Sequence, residues 1–163
     1  MIDLHTHSTV SDGEFSPEEL VDMAHAAHLT TFAVSDHDTL EGSRRAMLRG
    51  KEIGVHVIPA VEISIGLNGK ALHLLGYYVD LENKNLEQAL KEACDYRIER
   101  ARHLVERTNA DLIALGKEPM DLSRVLAMSN GDRPITRPEI ADYLIELGHA
   151  TTRQEAFNTW LEK

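Results

Sequence analysis

The feature that most constrains this chain is an order repeated near its start: an extended run, a helical pattern, then another extended run, with histidine or carboxylate at the end of each run. The runs cover residues 2–4, 31–35 and 55–65, and the second and third contain β-branched residues suited to strands. Between the first two, Ser16-Pro17-Glu18-Glu19 reads as a helix start. Ser16 is the expected N-cap, Pro17 the first helical residue and Glu19 the returning partner of a capping box. Leu20, Met23, Ala24 and Ala27 then recur at helical spacing and give that helix one buried face. A second helix is expected from about Thr39 to Gly54, where glycine can take the left-handed conformation that closes a helix. Strand, helix, strand, helix, strand implies an α/β fold with a parallel sheet, because parallel neighbours need a crossover between them.

Two further signals divide the chain. Asn68-Gly69 lies between extended runs at residues 62–67 and 70–79, the pattern of a tight hairpin, which interrupts the parallel order. From Leu86 onward, Leu90, Cys94, Ile98, Ala101, Val105 and Leu112 recur with helical period. Two more helix starts follow, with Thr136 and Glu139 as one capping box and Thr152 and Glu155 as another. The expected organisation is therefore an α/β part at residues 1–82 and a helical subdomain at residues 83–163, without internal repeats.

Composition narrows the chemistry. A single cysteine, Cys94, leaves no internal disulfide framework and no thiolate metal site, so any metal must bind through nitrogen and oxygen. A formal charge of −10 disfavours tracking along duplex nucleic acid, which depends on basic surface. Small phosphorylated substrates remain open to an acidic protein if metal ions supply the positive charge. The run at residues 55–65 is broken by His56, Pro59, Glu62 and Ser64, far short of the roughly 18 apolar residues of a membrane span. The start lacks a basic region followed by an apolar core, so a cytoplasmic protein without membrane contact is expected.

His5-Thr6-His7 closes the first run, and alternation along an extended chain sends both imidazoles to one side. Asp12 follows, and Gly13 permits a turn that returns its carboxylate toward the strand end. One such pair alone is ordinary surface polarity. Repetition changes the reading: Ser35-Asp36-His37-Asp38 closes the second run and Glu62 lies near the end of the third. In parallel α/β sheets the carboxyl ends of strands form the functional face, so these groups are expected to converge. His73, in the apolar run Leu72-His73-Leu74-Leu75-Gly76, is a ligand candidate because a hairpin would set it beside Glu62. His25, His28 and His56 read as surface or helix-edge residues.

The order and spacing of His5-x-His7-x4-Asp12-Gly13, Ser35-Asp36-His37-Asp38, Val61-Glu62-Ile63-Ser64 and Leu72-His73-Leu74-Leu75-Gly76 resemble the polymerase and histidinol phosphatase (PHP) superfamily. Within it the chain is most similar to small bacterial phosphoesterases that act on nucleoside 3′,5′-bisphosphates and short RNA ends. The resemblance implies the N-terminal part of a distorted seven-stranded β/α barrel with an inserted helical subdomain. It also implies up to three divalent ions, manganese, iron or zinc. By motif, His5 and His7 would hold one ion and Asp12 with His37 another, while Glu62 would bridge the first ion to one bound by His73. Asp12, His37 and Glu62 would be the catalytic set, with Asp36 and Asp38 orienting His37 by hydrogen bonding. The implied reaction is hydrolysis of a phosphate ester by a metal-activated hydroxide.

The chain matches the first half to two-thirds of a family member. Nothing after His73 resembles the Ala-His-Pro-like and Ser-Asp-Phe-His-like motifs that complete the family site, and His103 and His149 lie in helical contexts. An unclosed barrel is expected to expose sheet edges and apolar surface, with self-association as one remedy. Relatives carry histidine where Glu139 stands, and Glu139 reads here as a helix cap. Arg97 and Arg100, one turn apart, are grouped with Arg137 as candidates for holding a substrate phosphate; the alternative is a solvated helix face paired with Glu99. Two rival readings stand beside the phosphoesterase: a non-catalytic metal-binding or partner-binding module, and the exonuclease-like domain of a replicative polymerase. The acidic charge and the absence of polymerase sequence weigh against the second.

Overall fold

The computed structural model describes residues 1–67, 70–129 and 135–162, which form two compact units, Met1–Cys94 and Asp95–Lys163. In the first unit β1 (Ile2–Thr6), β2 (Thr31–Val34) and β3 (His56–Val57) make a parallel sheet in the order β1-β2-β3. The crossovers are α1 (Pro17–Ala26) and α2 (Glu41–Ile53). The capping box at Ser16 is present: Glu19 Oε2 accepts from the Ser16 amide at 2.8 Å while Ser16 Oγ accepts from the Glu19 amide at 3.3 Å. Gly54 ends α2 with φ of 80°. Val21 and Ala24 of α1, Ala46 of α2, and Phe32 and Val34 of β2 share one buried cluster, so the central strand is covered by both crossover helices.

The third extended run does not form one strand. Ile58 donates to the Phe32 carbonyl at 2.8 Å, extending the β2–β3 pairing by one bond, and then Pro59 has no N–H to continue the ladder. The Ala60 amide turns instead to Ser43 Oγ at 3.0 Å. Beyond it β4 (Ala60–Leu67) pairs antiparallel with β5 (Lys70–Tyr77), in continuous register from Ala60↔Tyr77 to Leu67↔Lys70. The predicted Asn68-Gly69 turn lies outside the described residues. Two backbone bonds, Glu62 N–H to the Asp36 carbonyl at 3.1 Å and Asp38 N–H to the Glu62 carbonyl at 2.9 Å, join β4 to the end of β2 as an isolated parallel bridge between His37 and Glu62. On the hairpin face opposite Glu62 and His73, the apolar residues Ile65, Leu72 and Leu74 are exposed.

The helical pattern from Leu86 is α3 (Lys84–Ala114). Its first turns belong to the first unit, where Leu90 packs with Leu40 and Val61. In the second unit Val105 and Leu112 of α3 meet Val125 of α4 (Leu122–Ala127), Ile140 and Leu144 of α5 (Arg137–Glu146), and Ala156 of α6 (Arg153–Ala156). A π-helical turn at Phe157–Leu161 follows and buries Trp160. Glu139 caps α5: its Oε2 accepts from the Thr136 amide and hydroxyl, both at 2.9 Å. At α6 the Thr152 hydroxyl accepts from the Glu155 amide at 3.2 Å, but the Glu155 carboxylate bonds Thr151, one residue earlier than expected. Among the described residues no helix is long and apolar enough to cross a membrane.

Leu144 is fully buried at the centre of this helical core. Leu144→Ala is expected to destabilise the second unit by about 2–5 kcal/mol, through lost transfer energy and an unfilled cavity, as read by urea denaturation. A loss below about 1 kcal/mol would mean that the helices repack around the site.

Candidate metal centre

The centre is built around one carboxylate. Glu62, only 3% exposed on β4, faces four imidazoles. His5 Nε2 and His7 Nε2 each lie 2.9 Å from its Oε2, and His37 Nδ1 lies 3.7 Å from the same oxygen. His73 Nδ1 lies 2.7 Å from Oε1. Thr6, between the first two histidines, points the other way and donates its hydroxyl to the Ala33 carbonyl at 2.9 Å, as strand alternation requires. His73 reaches Glu62 because the hairpin register sets it opposite Ser64, on the same face of the ribbon.

Asp12 arrives from the loop after β1. Its Oδ1 lies 3.3 Å from His7 Nδ1 and its Oδ2 3.7 Å from His37 Nε2. The loop closes through the Ser11 and Gly13 amides, which donate to the Ser8 carbonyl at 3.0 and 2.8 Å. A Cβ on Gly13 would stand 1.9 Å from the His7 carbonyl oxygen, so this approach requires glycine.

Burial pushes the Glu62 carboxyl up, but the His5 hydrogen bond and the charges of His37, His7 and His73 outweigh it and hold the group below its ordinary value. Glu62 is therefore an anion among imidazoles. Donor atoms converge in three overlapping groups: His5, His7 and Glu62; His7, Asp12 and His37; and His37, Glu62 and His73. Within each group the donor atoms lie within 4.8 Å of one another. Nitrogen and oxygen donors without sulfur suit zinc, iron or manganese, and three protein donors to an ion leave positions open for water and substrate. The residues fit a multinuclear divalent centre.

All six ligand candidates named from the sequence thus come together. The flanking carboxylates do different things. Both oxygens of Asp36 are engaged by Ser8 and Ser11, and Asp38 Oδ1 accepts from the Ser64 amide at 2.7 Å. Through these bonds Asp36 serves the loop at residues 8–13. Ser8 and Ser11 carried no sequence signal beyond being small and polar between two ligands.

Arg97, Arg100 and Arg137 lie on the second unit. Burial, followed by repulsion from Arg100 and Arg107, pushes the Arg137 guanidinium below its ordinary value, and Glu162 opposes the shift. Arg107 therefore joins the set; its place two helical turns after Arg100 was the available signal. Glu99 accepts from Arg102 at 3.3 Å. Of the histidines outside the centre, His149 Nε2 meets the Glu118 carbonyl at 2.7 Å and His103 lies 3.4 Å from Glu106.

Comparison with known proteins agrees with this geometry. The PHP domain family matches residues 3–121. A 5′-3′ exoribonuclease of Haemophilus influenzae is 33% identical over 98% of this chain and 56% of its own length. A 3′,5′-nucleoside bisphosphate phosphatase of Chromobacterium violaceum is 29% identical over 98% of this chain and 54% of its own. A crystal structure from Bifidobacterium adolescentis, assigned as a metal-dependent phosphoesterase, superposes with a TM-score of 0.81 at 30% identity, over 98% of this chain and 55% of that one. The chain spans about half the length of the curated relatives it matches. With its four motifs folded into one cluster of converging imidazole and carboxylate donors, and with residues 3–121 matched by the family, the chain belongs to the PHP domain family.

Proposed function

We propose that this chain provides the larger part of the metal centre of a phosphoesterase that hydrolyses a phosphate ester of a nucleotide or a short RNA end. The observation that carries this reading is Glu62, a buried, ionised carboxylate with both oxygens directed at histidines. The names of the Haemophilus and Chromobacterium relatives support the substrate class. Divalent ions, when bound, activate water for attack on phosphorus and neutralise charge on the phosphoryl oxygens.

The chain's own residues divide this work. A neutral imidazole has one lone-pair nitrogen, so each histidine serves one ion at a time. His7 presents Nε2 to Glu62 and Nδ1 to Asp12; His37 presents Nε2 to Asp12 and Nδ1 to Glu62. Using each imidazole once gives a first ion to His5, His7 and Glu62, a second to Asp12 and His37, and a third to His73 and the other Glu62 oxygen. The first position then has the most donors and should fill first. On the second unit, Arg100, Arg107 and Arg137 form a cationic set, proposed together with Arg97 to receive a substrate phosphate.

The test is release of phosphate from a nucleoside 3′,5′-bisphosphate and a 5′-phosphorylated oligoribonucleotide by the protein with manganese. Hydrolysis that chelation abolishes and manganese restores is expected. Arg137→Ala should raise KM by roughly 10- to 100-fold, the worth of a charge-assisted hydrogen bond, and leave metal content unchanged. Bound metal without turnover would instead favour a metal-binding module. That second reading draws on the two positions to which this chain gives only two donors each.

A further inference from the structure

We propose that Asp36 is a positioning residue of the metal centre: its carboxylate holds the loop at residues 8–13 in the conformation that presents Asp12. The inference rests on the reading of the centre as a metal site. Asp36 is 1% exposed at the end of β2. Its Oδ1 accepts from the Ser8 amide at 2.7 Å and from the Ser11 hydroxyl at 2.7 Å, and its Oδ2 accepts from the Ser8 hydroxyl at 2.6 Å. These bonds reach 28 and 25 residues back along the chain, into a segment that is neither helix nor strand.

Ser8 is the hub of that segment. Its carbonyl accepts from the Ser11 and Gly13 amides, and its hydroxyl accepts from the Val10 amide at 3.1 Å while donating to Asp36. Ser11, the second attachment, has its hydroxyl oxygen 3.2 Å from Asp12 Oδ1 and 3.5 Å from His7 Nδ1. The loop's internal bonds thus converge on a serine fixed from outside by one buried side chain, through hydrogen bonds of 2.6 and 2.7 Å.

Gly42 holds the carboxylate from behind. A Cβ there would stand 1.7 Å from Asp36 Oδ2 and 3.1 Å from Ser8 Oγ. The carboxylate is therefore packed against the first turn of α2. β1, β2 and α2 are tied together beneath Asp12, which the loop after β1 carries.

Two measurements test this. In the metal-free chain, Asp36→Ala and the milder Ser11→Ala should speed amide hydrogen exchange at Ser11 and Gly13 by at least about tenfold relative to amides of β2. Unchanged exchange in a variant that folds, by circular dichroism, would overturn the proposal whatever the metal does. In manganese titrations, Asp36→Ala should weaken by roughly 10- to 100-fold the ion served by Asp12, the usual cost of losing an outer partner. Gly42→Ala, which displaces the carboxylate without removing it, should act in the same direction. In an Asp12→Ala background the Asp36→Ala effect on affinity should vanish, because a residue acting through Asp12 has nothing left to position. An equal loss in both backgrounds would mean general destabilisation and would overturn the proposal. If the unsubstituted chain binds no manganese, the metal-site reading fails and the exchange measurement still decides the role of Asp36 in the loop.

Discussion

A chain carrying Glu62→Gln is expected to lose divalent metal affinity by more than the roughly 100-fold that loss of an outer partner costs, because the substitution removes the anion shared by the centre. Glutamine keeps the size and some hydrogen bonding of the side chain but carries no charge. His5, His7 and His73 lie within 2.9 Å of the present carboxylate, so they would face a neutral amide whose NH2 end cannot act as a ligand. Isothermal titration with manganese or zinc measures the loss. Where the protein turns over a phosphate ester, the rate is expected to fall by roughly 10²- to 10³-fold, the scale for removing one preorganised electrostatic contact. Retained affinity in the Glu62→Gln chain would show that the imidazoles, rather than the carboxylate, hold the metal.

Gly13→Ala is the second substitution expected to have a large effect. The added Cβ would meet backbone rather than a yielding side chain: 1.9 Å to the His7 carbonyl oxygen, 2.4 Å to its carbon and 2.8 Å to the Ser8 nitrogen. The loop must open, breaking the Gly13 N–H bond to Ser8 and moving Asp12. Overpacking of this kind costs about 1–3 kcal/mol, to be read as a lowered denaturation midpoint. The ion served by Asp12 and His37 should be lost with it, while the position at His5, His7 and Glu62 is weakened less. Normal stability and full metal binding in Gly13→Ala would mean that the loop has a second low-energy conformation with Asp12 in place.

Much of the centre was legible because its signals are local. Ser16 with Glu19 and Thr136 with Glu139 form capping boxes through bonds spanning three residues. His5 and His7 share a side by strand alternation, and His73 follows from the hairpin that Asn68-Gly69 signalled. Glu62 was singled out on a different local ground from the one the structure shows: it was expected near the end of a third parallel strand and stands near the start of β4. It still meets the other ligands because the His37–Glu62 bridge pairs β4 with the extension of β2.

The sequence by itself determined the types and order of the candidate ligands, the starts of α1 and α5 and the periodicities, since caps, turns and the periods of 2 and 3.6 residues are set by neighbours along the chain. Tertiary structure alone decided that the third run divides at Pro59, that Asp36 serves the loop of Ser8 and Ser11, and that Arg107 joins Arg100 beside Arg137. Those outcomes depend on contacts between segments from different parts of the chain. The His5–Glu62 contact spans 57 residues and the Ser8–Asp36 bond 28, distances over which no local pattern specifies a partner. Packing selects those partners, because a buried polar group left without one costs about 1–3 kcal/mol.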